Sequence, residues 1–163
     1  SCVCVSEALL MHIDTAGNGP QVCERAKNAL AGPFIMPGVT ASHNNDVPNR
    51  TASIANQTAE MLGIDTRVKP SEIENYDNFV EKGYGIPSEA GNEAVLLFGR
   101  HEGIILDPIY TGKCAAAMIA HIREGRFDRD DVVVFVHTGG MPAIFTWNDN
   151  LLAQADLISH QQS

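Results

Sequence analysis

Val132-Val133-Val134-Phe135-Val136, running into His137-Thr138-Gly139-Gly140, is the stretch whose reading decides the fold. A strand with one wet face alternates polar and apolar side chains, so an unbroken, mostly β-branched run predicts a strand covered on both faces. The paired glycines then turn the chain into a segment opened by Pro142. Upstream, Thr111 is placed to cap a helix carrying Ala115, Met118, Ile119 and Ile122 and ended by Gly125. Before it, residues 104–106 read as a short buried strand. Ser88 caps a further helix with the stripe Ala90, Ala94, Leu97 and Phe98, ended by Gly103 at the latest.

Residues 64–87 hold Pro70, Gly83, Gly85 and Pro87 and read as mostly loop with one short strand. Asn45-Asp46 before Pro48 start a helix with Ile54, Ala55, Ala59 and Leu62 at helical spacing, and Gly63 stands at its C-cap. Residues 34–41 read as a strand made irregular by Pro37, residues 20–30 as a helix, and residues 8–13 as the first strand. Strands alternating with helices of these lengths predict an α/β fold with a mainly parallel sheet. One domain over 1–147 is expected, followed by a tail at 148–163 that forms a last amphipathic turn or two.

The chain has 163 residues, 44% of them hydrophobic and 19% charged, which excludes a disordered tail or a fibrous repeat. Eleven Lys and Arg against twenty Asp and Glu leave a net charge of −9. That balance repels phosphate backbones and anionic lipid, so neither nucleic acid nor a membrane is an expected partner. No apolar run approaches the length of a bilayer helix, and the N-terminal stretch lacks the basic start of a signal peptide. The cysteines (Cys2, Cys4, Cys23, Cys114) fit neither a zinc knuckle nor a redox pair and read as reduced thiols in the cytoplasm. The six histidines show no metal-ligand spacing, so no metal is expected.

In open parallel sheets, ligands sit on the turns leading from strands into helices. Three such turns stand out: Thr15-Ala16-Gly17-Asn18-Gly19-Pro20-Gln21, then Asp107-Pro108-Ile109-Tyr110-Thr111-Gly112-Lys113, then His137-Thr138-Gly139-Gly140. Glycines there let backbone N–H groups approach a phosphate or carboxylate, or serve only a tight turn. His137 is either a satisfied strand-end histidine or part of a ligand loop, and spacing does not decide between them. No Walker-type loop, dinucleotide fingerprint or nucleophile elbow occurs.

Longer motifs carry a resemblance that periodicity does not. Ile54-Ala55-Asn56-Gln57-Thr58-Ala59-Glu60-Met61-Leu62-Gly63, Tyr84-Gly85-Ile86-Pro87-Ser88-Glu89, Glu102-Gly103-Ile104-Ile105-Leu106-Asp107-Pro108-Ile109-Tyr110-Thr111-Gly112-Lys113 and Val134-Phe135-Val136-His137-Thr138-Gly139-Gly140-Met141-Pro142-Ala143 resemble one family in order and spacing. It is the family of pyridoxal-phosphate enzymes that includes D-cysteine desulfhydrase, L-cysteate sulfo-lyase and 1-aminocyclopropane-1-carboxylate deaminase. Residues 37–147 carry the resemblance strongly and 1–36 weakly.

The resemblance implies the second half of a three-layer, fold-type II architecture, pyridoxal 5′-phosphate as cofactor, and a small amino acid as substrate. It places Tyr84 and Tyr110 at the substrate, Thr111 facing the cofactor's ring nitrogen, and Thr138, Gly139 and Gly140 beside the ring. Gly17, Asn18 and Gly19 fall where the family has its phosphate loop, although Pro20 removes one backbone N–H there. None of Lys27, Lys69, Lys82 or Lys113 occupies the family's cofactor-lysine motif. Without the resemblance, each tyrosine reads as a half-buried aromatic with a satisfied hydroxyl.

Within the family, the deaminase branch has an acidic residue after the tyrosine of D-P-x-Y, where this chain has the neutral Thr111. The resemblance therefore implies α,β-elimination from a cysteine-like substrate, with desulfhydrase ahead of sulfo-lyase and deaminase third. The alternative is a non-catalytic half-domain. A sheet cut through its middle leaves an edge and an apolar face, so the isolated chain is expected to self-associate or to be poorly soluble, and a homo-oligomer, a homodimer, is the expected assembly.

Overall fold

The computed structural model describes residues 9–11, 38–39, 46–129 and 133–161. The helix expected over 20–30 and the loop bearing Gly17, Asn18 and Gly19 lie outside them. Strands β1 (Leu9–Met11) and β2 (Gly38–Val39) come first. Helix α1 (Val47–Leu62) follows, with Asp46 as N-cap accepting from the Asn49 N–H, Pro48 in its first turn and Gly63 left-handed at its C-cap. The start and stop residues act as expected. The predicted stripe does not, since only Ala52 of α1 is buried while Ile54 and Leu62 are exposed. A polar clamp fastens the helix to the loop beyond it: Asn56 Nδ2 donates to the Val68 carbonyl (3.0 Å), and the Val68 N–H donates back to Asn56 Oδ1 (2.8 Å).

Two single 3₁₀ turns, Pro70–Glu72 and Asn78–Val80, flank strand β3 (Asn75–Tyr76). Helix α2 (Glu89–His101) is capped by Ser88, whose Oγ accepts from the Gly91 N–H at 3.1 Å. Helix α3 (Thr111–Arg123) packs against it, and Gly112 makes the close approach possible. A Cβ at Gly112 would stand 2.9 Å from Val95 Cγ2 and 3.0 Å from the Gly91 carbonyl oxygen. Strand β4 (Phe135–His137), the short helix α4 (Ala143–Thr146) and helix α5 (Asn148–Gln161) complete the chain.

The core joins Ala94, Val95 and Phe98 of α2 to Ala115 and Ala116 of α3, with Leu106, Phe135 and Leu151 closing it. The rings of Phe98 and Phe135 lie 5.5 Å apart. Leu151 reaches this core from the expected tail, where α5 runs longer than the predicted turn or two. No helix among the described residues is long and apolar enough to cross a membrane.

The sheet differs from expectation among the described residues. β2 pairs with β3 in parallel, whereas β4 pairs with β1 antiparallel, Leu10 opposite Val136. An apolar run reports cover on a strand's faces and says nothing about the direction of the neighbour on its edge. In β4 the burial alternates, with Phe135 and His137 buried and Val136 half-buried. Residues 104–106 also alternate instead of burying whole: Leu106 is buried and Ile105 is exposed. They form no ladder, and the Ile105 carbonyl is taken by the His137 ring.

Candidate functional site

Asp107 organises the turn that opens α3. It is fully buried, and its carboxylate is filled by donors from the residues that follow it. Oδ2 accepts from the Ile109 and Tyr110 N–H groups, each at 2.8 Å. Oδ1 accepts from the Thr111 N–H at 2.9 Å and from Thr111 Oγ1 at 2.7 Å. The Asp107 N–H in turn donates to Thr111 Oγ1 at 2.8 Å. A carboxylate before Pro108 thus folds back on the free amides of a helix start, the behaviour expected of an Asx turn that doubles as a cap. The N-cap position falls on Tyr110 and not on Thr111, which is the first residue of α3, and the acceptor for these amides is the Asp107 carboxylate. Thr111 is buried, and its single hydroxyl hydrogen goes to Asp107.

The same turn presents Tyr110 outward, 49% exposed, and the loop before α2 brings Tyr84, 77% exposed, to meet it. Their hydroxyls share a hydrogen bond of 2.7 Å, with ring centroids 6.0 Å apart. That bond, more than the partial burial and the charge of Asp107, pushes the Tyr110 hydroxyl above its ordinary pKa. Two tyrosines 26 positions apart in sequence are therefore one paired group in space. Each keeps a face to solvent.

At the end of β4, His137 is buried and spends both ring nitrogens on backbone. Nδ1 accepts the Gly139 N–H at 3.0 Å, which places the ring hydrogen on Nε2, facing the Ile105 carbonyl at 2.9 Å. This histidine is a satisfied clip and does not reach a ligand. Thr138 is half-buried beyond it, and Gly139 and Gly140 both have positive φ, +96° and +87°. A Cβ at Gly140 would stand 2.6 Å from Asp107 Oδ1, so the glycine turn rests on the carboxylate that holds Tyr110. A Cβ at Gly139 would meet nothing within 4 Å. Backbone with open space at Gly139, next to Thr138 and resting through Gly140 on the turn that carries Tyr110, suits a flat polar ligand.

Lys113 faces the other way. It is 4% exposed and its ammonium donates to two backbone carbonyls, so it offers no free amine at this surface. The described residues thus bring together Tyr84, Tyr110, Thr111 and the 138–140 turn. Gly17, Asn18 and Gly19 lie outside the described residues. Sequence reasoning missed Asp107 as the organiser, although Asp-Pro three residues before a helix start is itself a capping signal.

The family model described as pyridoxal-phosphate dependent enzyme matches residues 25–139. The chain belongs to this family. The matched span contains Tyr84, Tyr110, Thr111, Thr138 and Gly139. A D-cysteine desulfhydrase of Salmonella paratyphi C (strain RKS4594) is 37% identical over 115 residues, covering 70% of this chain and 34% of that protein. A D-cysteine desulfhydrase of Salmonella typhi is 43% identical over 81 residues, covering 50% of this chain and 25% of that one. The chain spans about a third of the length of the first of these curated relatives. A crystal structure of an ACC deaminase homologue superposes with a TM-score of 0.60 at 27% identity, covering 85% of this chain and 42% of the other. The fold of the pyridoxal-phosphate enzymes is therefore shared over most of the chain. The open backbone at Gly139 leaves room for a flat ring such as the cofactor's.

Proposed function

We propose that this chain carries the tyrosine side of the active site of a pyridoxal-phosphate-dependent lyase of the D-cysteine desulfhydrase type. The reaction is α,β-elimination from a small cysteine-like amino acid, ending in pyruvate and ammonia. The observation that carries this reading is the Tyr84–Tyr110 hydroxyl pair at an open surface, in a chain similar to proteins named D-cysteine desulfhydrase.

When bound, the cofactor supplies the electron sink for the pair left at Cα, a weaker sink beside a neutral residue than beside a carboxylate. Thr138, Gly139 and Gly140 line its ring side in this reading, and Gly17, Asn18 and Gly19 its phosphate. At the position after Tyr110 the chain has Thr111, and the Asp107 carboxylate behind it is already filled by four donors. A neutral residue at position 111 suits loss of a good leaving group from Cβ better than opening of a cyclopropane ring.

The tyrosine pair has two hydroxyl hydrogens and uses one of them between its oxygens. The other is free to face the substrate's sulfur. Because its pKa is raised, Tyr110 stays protonated at neutral pH, and the pair acts as an acid. In an enzyme of full family length the Cα proton would go to a base other than the tyrosine pair. As the Cβ–S bond breaks, its electrons go to sulfur, which takes the proton from a tyrosine Oη and leaves, from cysteine, as hydrogen sulfide. Solvent reaches both exposed rings and returns the proton. The same reading takes the substrate as a free amino acid, with no nucleic acid or membrane partner, and the working form as a homo-oligomer.

The test is an enzyme of full family length that carries this sequence, assayed with D-cysteine, L-cysteate and 1-aminocyclopropane-1-carboxylate. D-cysteine is expected to turn over fastest, and Tyr110→Phe to cost about 10²-fold or more in kcat. Turnover of the cyclopropane substrate alone would overturn the elimination. No turnover of any substrate by cofactor-loaded protein would favour the non-catalytic half-domain.

A further inference from the structure

Among the described residues, Lys113 is a buried cation with no carboxylate bonded to it, and its hydrogen-bond partners are backbone. Its ammonium donates to the Val80 carbonyl at 2.8 Å and to the Gly83 carbonyl at 3.2 Å. Its stem packs beside Gly91, where a Cβ would lie in ordinary contact with Lys113 Cγ at 3.5 Å. Burial pushes its pKa down, and the nearby Glu81 opposes that. A buried ammonium held this way is costly unless something is gained by holding it there.

What it holds is an awkward piece of backbone. Glu81 has φ +52°, the one positive value among the described residues that are not glycine, and Gly83 and Gly85 follow at +133° and +74°. Such a loop does not keep its shape by local preference. The Gly83 carbonyl shares one rigid peptide plane with the N–H of Tyr84. Lys113 therefore grips the plane from which Tyr84 projects. Lys113 also stands three residues after Tyr110, in the first turn of α3. One turn of helix carries one tyrosine directly and holds the other through the lysine.

We propose that Lys113 is the positioning residue of the tyrosine pair, fixing the 80–84 loop so that the Tyr84 and Tyr110 hydroxyls meet. Its kinetic consequence rests on the catalytic reading of that pair; its structural content does not. The two are tested separately.

The first experiment uses this chain without cofactor or substrate. The Tyr76→Phe background leaves Tyr84 and Tyr110 as its only tyrosines. Isotope-labelled tyrosine Cζ signals are followed with pH by NMR, in that background and in Lys113→Met, which keeps the stem and removes the donors. The background is expected to show Tyr110 titrating above the ordinary tyrosine range, held there by Tyr84 and influenced by Asp107. Lys113→Met is expected to lower the Tyr110 titration toward the ordinary tyrosine range, as far as Tyr84→Phe lowers it. A folded Lys113→Met protein with the Tyr110 titration unmoved would overturn the proposal, because a merely structural lysine lowers the melting point without separating the hydroxyls. If methionine prevents folding, Lys113→Gln, whose shorter amide reaches one carbonyl, is read the same way. A partial fall supports the proposal, and no fall overturns it.

The second experiment uses the full-length enzyme. Lys113→Met is expected to lower kcat about as far as Tyr84→Phe does, with KM little changed, and the double variant to be no worse than either. Titration shifts with unchanged kinetics would leave the strut standing and sink the catalytic reading of the tyrosines. An added loss in the double variant equal to the sum of the single losses would overturn the coupling of Lys113 to Tyr84.

Discussion

Replacing Asp107 by asparagine changes a single atom in a carboxylate that is filled by four donors, and the cost can be worked through atom by atom. An amide nitrogen at the Oδ2 position would face the Ile109 and Tyr110 N–H groups, donor against donor. It therefore takes the Oδ1 position. There Thr111 Oγ1 has a lone pair to accept it, but the Thr111 N–H and the Thr111 hydroxyl hydrogen both lose their acceptor. Two hydrogen bonds to a charged group are lost at about 1.5–3 kcal/mol each and one neutral bond of about 1 kcal/mol is gained, so Asp107→Asn should cost about 3 kcal/mol. In a domain of this size that lowers Tm by about 6–12 °C. Asp107→Ala removes every acceptor at once and leaves buried amides bare, for a loss of at least about 4 kcal/mol. Urea and thermal melts followed by circular dichroism measure both. An asparagine variant within about 0.5 kcal/mol of the parent, or an alanine variant no worse than asparagine, would refute the picture of a saturated carboxylate.

Gly112→Ala would bring a Cβ to 2.6 Å from the Asp107 carbonyl oxygen, which is backbone and cannot swing away. Overpacking between α2 and α3 should cost about 1–3 kcal/mol despite alanine's better helix propensity, and denaturant midpoints check it. Because Tyr110 holds its proton more tightly folded than unfolded, the pair stabilises the fold fully below the unfolded value of about 10. That stabilisation is lost as pH rises through the higher folded value. Tyr84→Phe should thus lower the urea midpoint below that range and converge with the parent above it. Residues 1–163 treated with pyridoxal phosphate and borohydride should show no stoichiometric labelling of Lys27, Lys69, Lys82 or Lys113 by mass spectrometry. Labelling of Lys113 would contradict its enclosed, carbonyl-bound position.

Helix limits were legible because their signals are local. Asp46 with Pro48, Ser88, and Gly63 each act where the sequence puts them. The tyrosine pair was legible only through long motifs, since nothing in the spacing of Tyr84 and Tyr110 says that their hydroxyls touch. Three features of the site were not legible. The direction of β1 along β4 depends on an edge, which leaves no pattern in side-chain polarity. The Thr111 hydroxyl seemed free to serve as a cap because the competing acceptor, Asp107, lies four residues earlier and folds back through a turn. Lys113 reads in sequence as a surface cation near a helix start, and only the depth of the 80–83 loop makes it a buried strut.

The Asp107 turn also governs how the site moves. The loop of Tyr84 is fastened to the first turn of α3 by Lys113, the turn of Tyr110 is fastened there by Asp107, and Gly140 leans on the same carboxylate. None of the three can swing out while that helical turn stays formed. Their amides should then exchange with solvent through one shared opening event, with the N–H groups of Ile109, Tyr110, Thr111 and Gly112 losing protection together. A surface built this way has two states, assembled and undone, with few partial arrangements between them. Weakening any one fastening raises the population of the undone state at all three places.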